Sequence, residues 1–220
     1  MIDHAHPLLL GSSSPRRRDI LASLGLPFRV AAAEVSEIKA EEERAEDYQA
    51  RIVLAKLKAA QERQEAADAG ALLVADTEVV LDGRVLGKPR DLVGAQAMLR
   101  ALSGRDHEVW TRFAVTAGGS GSDERAVHAE TVKTQVFFRR LEDDEIVRYA
   151  ATGEGLDKAG AYAIQGLGAF AVARIEGSYT NVVGLPACEV IAALRRTGLL
   201  SAFPLLPAMD DGASSPLPGV

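Results

Sequence analysis

Several groups in this chain could act together on an anion: arginines at a helix start, a lysine on an apolar helix face, an aspartate after an apolar run and a glutamine among glycines. The stretch GSSSPRRRDIL, Gly11 to Leu21, predicts a helix with Ser14 as N-cap and Pro15 at its first position. Ile20, Leu21 and Leu24 supply its apolar face and Gly25 its stop. Arg16, Arg17 and Arg18 then fall in the first turn, where the partial positive charge of the helix end costs each exposed cation about 0.3 to 1 kcal/mol. An anion in front of the helix would reverse that cost, held by backbone N–H groups and by the arginines that point its way. Successive side chains fan by about 100°, so at most two of the three can serve one ligand. For this stretch alone, a solvated arginine patch is the alternative.

Lys56 lies about 40° from Ile52 in a helical projection and about 140° from the stripe of Arg51, Lys58 and Glu62. It is either a lysine whose stem covers apolar surface or one aimed into a cleft. Asp76 follows ALLVA directly and so stands at the end of an expected buried strand, where open α/β sheets place ligands; capping the next turn is its other possible role. Lys88 sits between Gly87 and Pro89 after an expected hairpin, and Glu37 ends EVSE; neither signals much alone. DKAGAYAIQG surrounds Lys158, Tyr162 and Gln165 with small residues, which suits either a tight packing loop or close approach to a ligand. The glutamine amide offers a donor and an acceptor to a base or sugar edge. Cations, a helix amino end, two carboxylates able to hold a divalent metal and a readable amide together suit a nucleoside triphosphate.

Composition limits the alternatives. The 220 residues are 47% apolar and 25% charged, as in an ordinary globular protein with one sizeable core in one or two lobes. A net charge of −6 argues against a nucleic acid polymer as partner, while leaving room for a small anion in a local basic pocket. The single cysteine, Cys188, excludes an internal disulfide and fits a reducing compartment. Neither a membrane span nor a signal peptide is visible in the sequence, so a cytoplasmic protein without a membrane partner is expected.

The elements that must position these residues follow from periodicity. Leu8 to Leu10 and Phe28 to Ala33 read as strands around the arginine helix, giving a β-α-β opening. A long helix is expected from about Ala45 to Ala69, then a buried strand, Ala71 to Ala75, ending at Asp76. EVVLDGRVLG predicts a hairpin turning at Asp82 and Gly83, and Asp91 to Leu102 a helix. HEVWTRFAVTA and AVHAETVKTQVFFRRL read as a strand pair joined by a loop from Gly118 to Asp123, followed by the helix EDDEIVRYAAT. A strand near Ala169 to Ile175, a loop EGSYTNVVGLP and a last helix through Arg196 complete a body of residues 1–202. Residues 203–220 are rich in Pro, Gly, Ser and Asp and are expected to form a disordered tail.

In family order, the motifs SSSPRR, EVSE, ARIVLAKLKA, VADTEVVLDGRVLGKPRD, DKAGAYAIQGLG and GSYTNVVGLP resemble those of the Maf proteins, nucleoside triphosphate pyrophosphatases, and most of all their dTTP/UTP-hydrolysing branch. The resemblance runs from Leu8 to about Arg196 and implies an α/β fold: a twisted mixed β-sheet flanked by helices, in two lobes around a substrate groove, often as a homodimer. It implies Asp76 as the catalytic carboxylate, with Ser12, Arg17, Lys56 and Lys88 around the phosphates. It further implies that Arg16, Thr77 and Gln165 select the nucleotide and that Glu37 and Asp76 hold Mg²⁺ or Mn²⁺. Ser36 stands where the family often has an acid, which leaves Glu34 beside the favoured Glu37 as the residue facing the metal. Two other functions fit the same parts: a nucleotide-sensing module acting through a cell-division partner, and a pyrophosphatase of the branch acting on 7-methyl-GTP.

Overall fold

A computed structural model describes residues 1–32, 35–40, 42–119 and 126–205. β1 (Leu8–Leu10), α1 (Pro15–Ser23) and β2 (Phe28–Val30) form the β-α-β opening, with β1 and β2 parallel. β2 is shorter than its sequence suggests because its partner β1 offers only three residues to pair with. α2 (Ala45–Gln61) ends eight residues before Ala69; a tighter turn at Gln64–Ala66 follows, and Ala66 and Ala69 are buried beyond it.

β3 (Ala71–Leu81) is the main correction to the expected elements. ALLVA and the first arm of the hairpin are one continuous strand, so Asp76 lies at its middle rather than at its end. The reason is long-range: β5 (Asp106–Ala117) pairs antiparallel with β3 without a break from Ala71 to Val80, and that ladder overrides the poor strand propensity of Asp-Thr-Glu. β4 (Arg84–Leu86) returns through Asp82 and Gly83, both with positive φ (50° and 76°), as a two-residue hairpin turn requires.

α3 (Leu92–Leu102) starts at Asp91, whose carboxylate accepts from the Gly94 N–H at 2.7 Å. β6 (His128–Phe138), α4 (Asp143–Ala151) and β7 (Val172–Glu176) follow. The expected loop EGSYTNVVGLP contains a short helix, α5 (Tyr179–Val183), before α6 (Ala187–Arg196). The mixed sheet runs β2-β1-β3-β5-β6-β7, with β4 also on β3.

Alternation along β3 sorts the core. On one face Ala71, Leu73 and Ala75 pack with Ile20 and Leu21 of α1 and Val190, Ala193 and Leu194 of α6. Further along that face Val79 and Leu81 pack with Leu99 of α3 and Ile146 of α4, and Thr77 lies at the seam between these two lobes. On the other face Leu72 and Val74 meet Val53, Leu57 and Ala60 of α2. Phe203 and Leu205 are half-buried against the first lobe, so the body extends past the expected boundary at 202. Residues 206–220 of the expected tail, and most of the 118–123 loop, lie outside the described residues. No helix among the described residues is long and apolar enough to cross a membrane.

Candidate active site

The site opens where β3 lacks a neighbour on one edge. β1 pairs with Ala71–Leu73 and β4 with Val79–Leu81, so among the described residues Val74–Glu78 carries no strand on that side. Asp76 is central in this gap, just past the carboxyl end of the parallel β1–β3 pairing. Asp76 thus lies beyond a parallel strand pair even though β3 itself continues. A pocket of about 790 Å³ occupies the gap, and Ser12, Arg16, Arg17, Glu37, Lys56, Asp76, Thr77, Lys88 and Gln165 all line it. Glu34 lies outside the described residues.

Lys56 reaches across from α2. Its Nζ is 2.7 Å from Asp76 Oδ1 and 2.6 Å from Glu37 Oε1, so one buried ammonium joins the two carboxylates. The helical projection that set Lys56 beside Ile52 reflects this, because Ile52 is fully buried and Lys56 lies one turn on along the same face. Partial burial works against ionisation of Glu37, but the hydrogen bond and charge of Lys56, helped by Lys88 and Arg17, hold its pKa below the ordinary value. Tyr48 Oη donates to the Glu37 carbonyl at 3.0 Å and ties the segment carrying Glu37 to α2.

Glu78 is a pocket residue that sequence reasoning missed. It lies two residues from Asp76 on the same face of β3 and is 8% exposed. Burial, and then the nearby charges of Asp76 and Glu37, push its pKa up to about 8. Asp76 Oδ2 and Glu78 Oε2 are both buried without a protein hydrogen-bond partner. Gln49 packs against the same strands, its Nε2 donating to the Trp110 carbonyl at 2.8 Å. Strand parity held the missing signal, since residues 76 and 78 of one strand must share a face.

Across the seam, Arg17 is 8% exposed. Its Nε donates to the Gly184 carbonyl at 2.8 Å, its Nη1 to Ser12 Oγ at 2.9 Å and its Nη2 to Thr77 Oγ1 at 3.1 Å. These bonds explain how a cation is held in the first turn of α1. Ser14 occupies the N-cap position but makes no side-chain cap; its N–H donates to Ser12 Oγ instead. Arg16 stands at the rim, 3.8 Å from Asp157, while Arg18 does not line the pocket, in keeping with the limit of two arginines.

Gln165 is exposed at the mouth, on a segment that is clamped from below. The Glu154 carboxylate accepts from the Leu167 and Gly168 N–H groups at 2.9 and 2.8 Å and from Tyr149 Oη at 2.8 Å. The Ala163 N–H donates to the same Tyr149 Oη at 3.2 Å. Lys88 is exposed on the wall carried by the hairpin, and the neighbouring Gly87 carbonyl accepts from the Gly160 N–H at 3.2 Å.

The donor set fits a divalent cation shared with a ligand. Glu37 Oε1 and Asp76 Oδ1 converge on the Lys56 ammonium, which holds the two carboxylates side by side. Among the described residues no three or more His, Cys, Asp or Glu side chains are grouped to hold a metal by themselves. Magnesium commonly uses one or two carboxylates and takes its remaining oxygens from water and substrate phosphates.

Known proteins resemble this chain in sequence over most of its length. A dTTP/UTP pyrophosphatase of Geobacter sp. (strain M21) is 48% identical over 193 residues, 88% of this chain and 96% of that protein. One from Myxococcus xanthus (strain DK1622) is 48% identical over 194 residues, 87% of this chain and 93% of its own. Among solved structures, a HAM1 protein from Coxiella burnetii covers 62% of this chain and 74% of its own at 13% identity and a TM-score of 0.36. The Maf-like protein family model matches residues 7–197, a span that contains all six motifs, and the chain belongs to that family.

Proposed function

We propose that this chain hydrolyses dTTP and UTP between the α- and β-phosphates, releasing the nucleoside monophosphate and pyrophosphate. What carries this is the junction of Lys56 with Glu37 and Asp76, inside a pocket that also gathers Ser12, Arg16, Arg17 and Lys88. A buried carboxylate with one oxygen fixed by an ammonium and the other without a protein partner suits a base facing a polyanion. The names of the relatives at 48% identity, dTTP/UTP pyrophosphatases, support the same reaction and substrates.

In this mechanism Asp76 Oδ2 accepts a proton from the attacking water while Lys56 holds Oδ1. The water oxygen bonds to the α-phosphorus, and the bond from that phosphorus to the bridging oxygen breaks. The departing pyrophosphate carries the electron pair, and Ser12, Arg17 and Lys88 meet its charge. A Mg²⁺ or Mn²⁺ ion held by Glu37 and Asp76 would supply further positive charge to the phosphates. At the mouth, the Gln165 amide pairs with the alternating carbonyl and N–H edge of uracil or thymine, with Arg16 and Thr77 contributing to selection. A purine would leave such polar groups unpaired, which a hydrogen-bonding site penalises strongly.

The test is a panel of triphosphates incubated with the purified chain and Mg²⁺, with pyrophosphate and orthophosphate assayed separately. Pyrophosphate release, fastest from dTTP and UTP and abolished by Asp76→Asn in a folded variant, supports the proposal. Orthophosphate instead of pyrophosphate refutes the bond assignment. Tight binding with no product points to the nucleotide sensor, and a preference for guanine nucleotides to the 7-methyl-GTP branch.

A further inference from the structure

The motif GSYTNVVGLP lies on α5 and its flanks, and its Gly184 carbonyl accepts from Arg17, a residue assigned above to the phosphates. Thr111 on β5 raises a related question. It is fully buried in a strand interior where valine has the same shape and no hydroxyl to desolvate. A threonine there is stabilising only if its hydroxyl is bonded on both sides.

It is. Thr111 is the direct cross-strand partner of Thr77, and their Oγ1 atoms are 2.9 Å apart. Thr111 Oγ1 also donates to the Asn181 carbonyl at 3.2 Å. Each hydroxyl has one proton, so a Thr111 proton given to Asn181 leaves its oxygen to accept from Thr77. The Thr77 oxygen in turn accepts from Arg17 Nη2 at 3.1 Å. The bonds therefore share one direction, from guanidinium to hydroxyl to hydroxyl to carbonyl, which lets each polarise the next. Asn181, itself fully buried, anchors the far end: its Nδ2 donates to the Val109 carbonyl and to Thr134 Oγ1, both at 2.9 Å.

We propose that Thr111 and Asn181 are positioning residues that set the orientation of Arg17 through Thr77. This rests on the pyrophosphatase reading above. Without the Thr111 hydroxyl, the Thr77 proton turns to its other acceptor, the Gly184 carbonyl at 3.3 Å. That carbonyl has two lone pairs and can accept from both Thr77 and Arg17 Nε, but the turned hydroxyl no longer aims its lone pairs at Arg17 Nη2, and the guanidinium loses one of its three fixing bonds.

The experiment compares Thr111→Val, which keeps shape and removes the hydroxyl, with Thr111→Ser, which restores it. kcat and KM for dTTP and UTP are measured beside thermal melting. Thr111→Val is expected to melt within a few degrees of the parent and to lose roughly tenfold in kcat/KM, with most of the loss in kcat. Thr111→Ser is expected to recover to within about twofold of the parent. Parent-like kcat/KM in Thr111→Val, or an equal loss in folded Thr111→Ser, overturns the relay while the pyrophosphatase reading stands. Should the valine variant not fold, Thr111→Ala takes its place in the same comparison. A parent protein that hydrolyses no triphosphate defeats the functional reading instead. The relay is then judged by affinity for a non-hydrolysable dTTP analogue, which Thr111→Val must weaken and Thr111→Ser restore.

Discussion

Lys56 Nζ sits 2.7 Å from Asp76 Oδ1, joining the middle of α2 to the middle of β3, and the same ammonium holds Glu37 Oε1 at 2.6 Å. Both Lys56 and Asp76 have side chains about a tenth exposed, so neither charge is well solvated by water. Lys56→Met keeps the stem against the apolar face of α2 and deletes the charge. Two carboxylates are then left facing each other with no ammonium between them. The expected result is a fall in kcat of about 100-fold and a loss of roughly 3 kcal/mol in stability. Saturating kinetics at fixed Mg²⁺ and denaturant melts check both, and near-parent kcat would remove Lys56 from the catalytic set.

Gln165 is placed by Glu154 and Tyr149 rather than by its own side chain, which is exposed at the mouth. Gln165→Ala should therefore leave the clamp and the fold intact while removing the amide that reads the base. The expected outcome is a loss of about 1 to 3 kcal/mol in discrimination, seen as kcat/KM for dTTP and UTP falling towards the values for GTP and ATP. Parallel kcat/KM measurements on the four nucleotides decide it. Equal losses on all four would mean that Gln165 serves the triphosphate instead.

Local pattern was legible in the sequence where it reflects one element, and hidden where two distant elements decide. Lys56 could be found because an ammonium one turn from buried Ile52 is out of place on any solvated helix. The limit of two arginines followed from helix geometry alone, and Arg16 and Arg17 reach the pocket while Arg18 does not. Asp76 stood out after an apolar run, yet its place in the middle of β3 depends on pairing with β5, more than thirty residues on. Glu78 read only as the start of a hairpin arm for the same reason. Thr111 gave no signal at all, because a threonine in a strand is ordinary until its partners across the sheet and on α5 are known.

His107 on β5 is 3% exposed, with Nε2 2.8 Å from Tyr162 Oη and Nδ1 without a protein partner. Its ring packs edge-on against Phe138 and Tyr162, and Tyr162 lines the pocket. Burial pushes its pKa down to about 4, with Asp106 opposing, against about 6.5 in an unfolded chain. Between those values the unfolded chain binds a proton that the folded one does not, so stability falls as pH drops. The contribution is complete above pH about 6.5 and is lost as pH falls through about 4, amounting to roughly 2 to 3 kcal/mol by pH 4.5. Melting temperatures of the parent and of His107→Gln from pH 7 to 4.5 should show the steeper decline in the parent. Equal slopes would mean that the imidazole is not buried neutral.

Two truncations distinguish the body from the C-terminal segment beyond it. Phe203 and Leu205 pack half-buried against the lobe formed by α1, α6 and the start of β3. Past these contacts the sequence LPAMDDGASSPLPGV carries few large apolar side chains to contribute to a core. A chain ended after Leu205 is expected to keep the melting temperature and the kcat/KM of the full protein. Ending it after Ala202 removes the two contacts as well and should cost about 2 kcal/mol, a drop in melting temperature of several degrees, while leaving kcat/KM near the parent value at 25 °C. Loss of activity or stability in the longer truncate would mean that residues 206–220 contribute to the body or to a partner contact, and identical melting of the two truncates would mean that Phe203 and Leu205 contribute nothing.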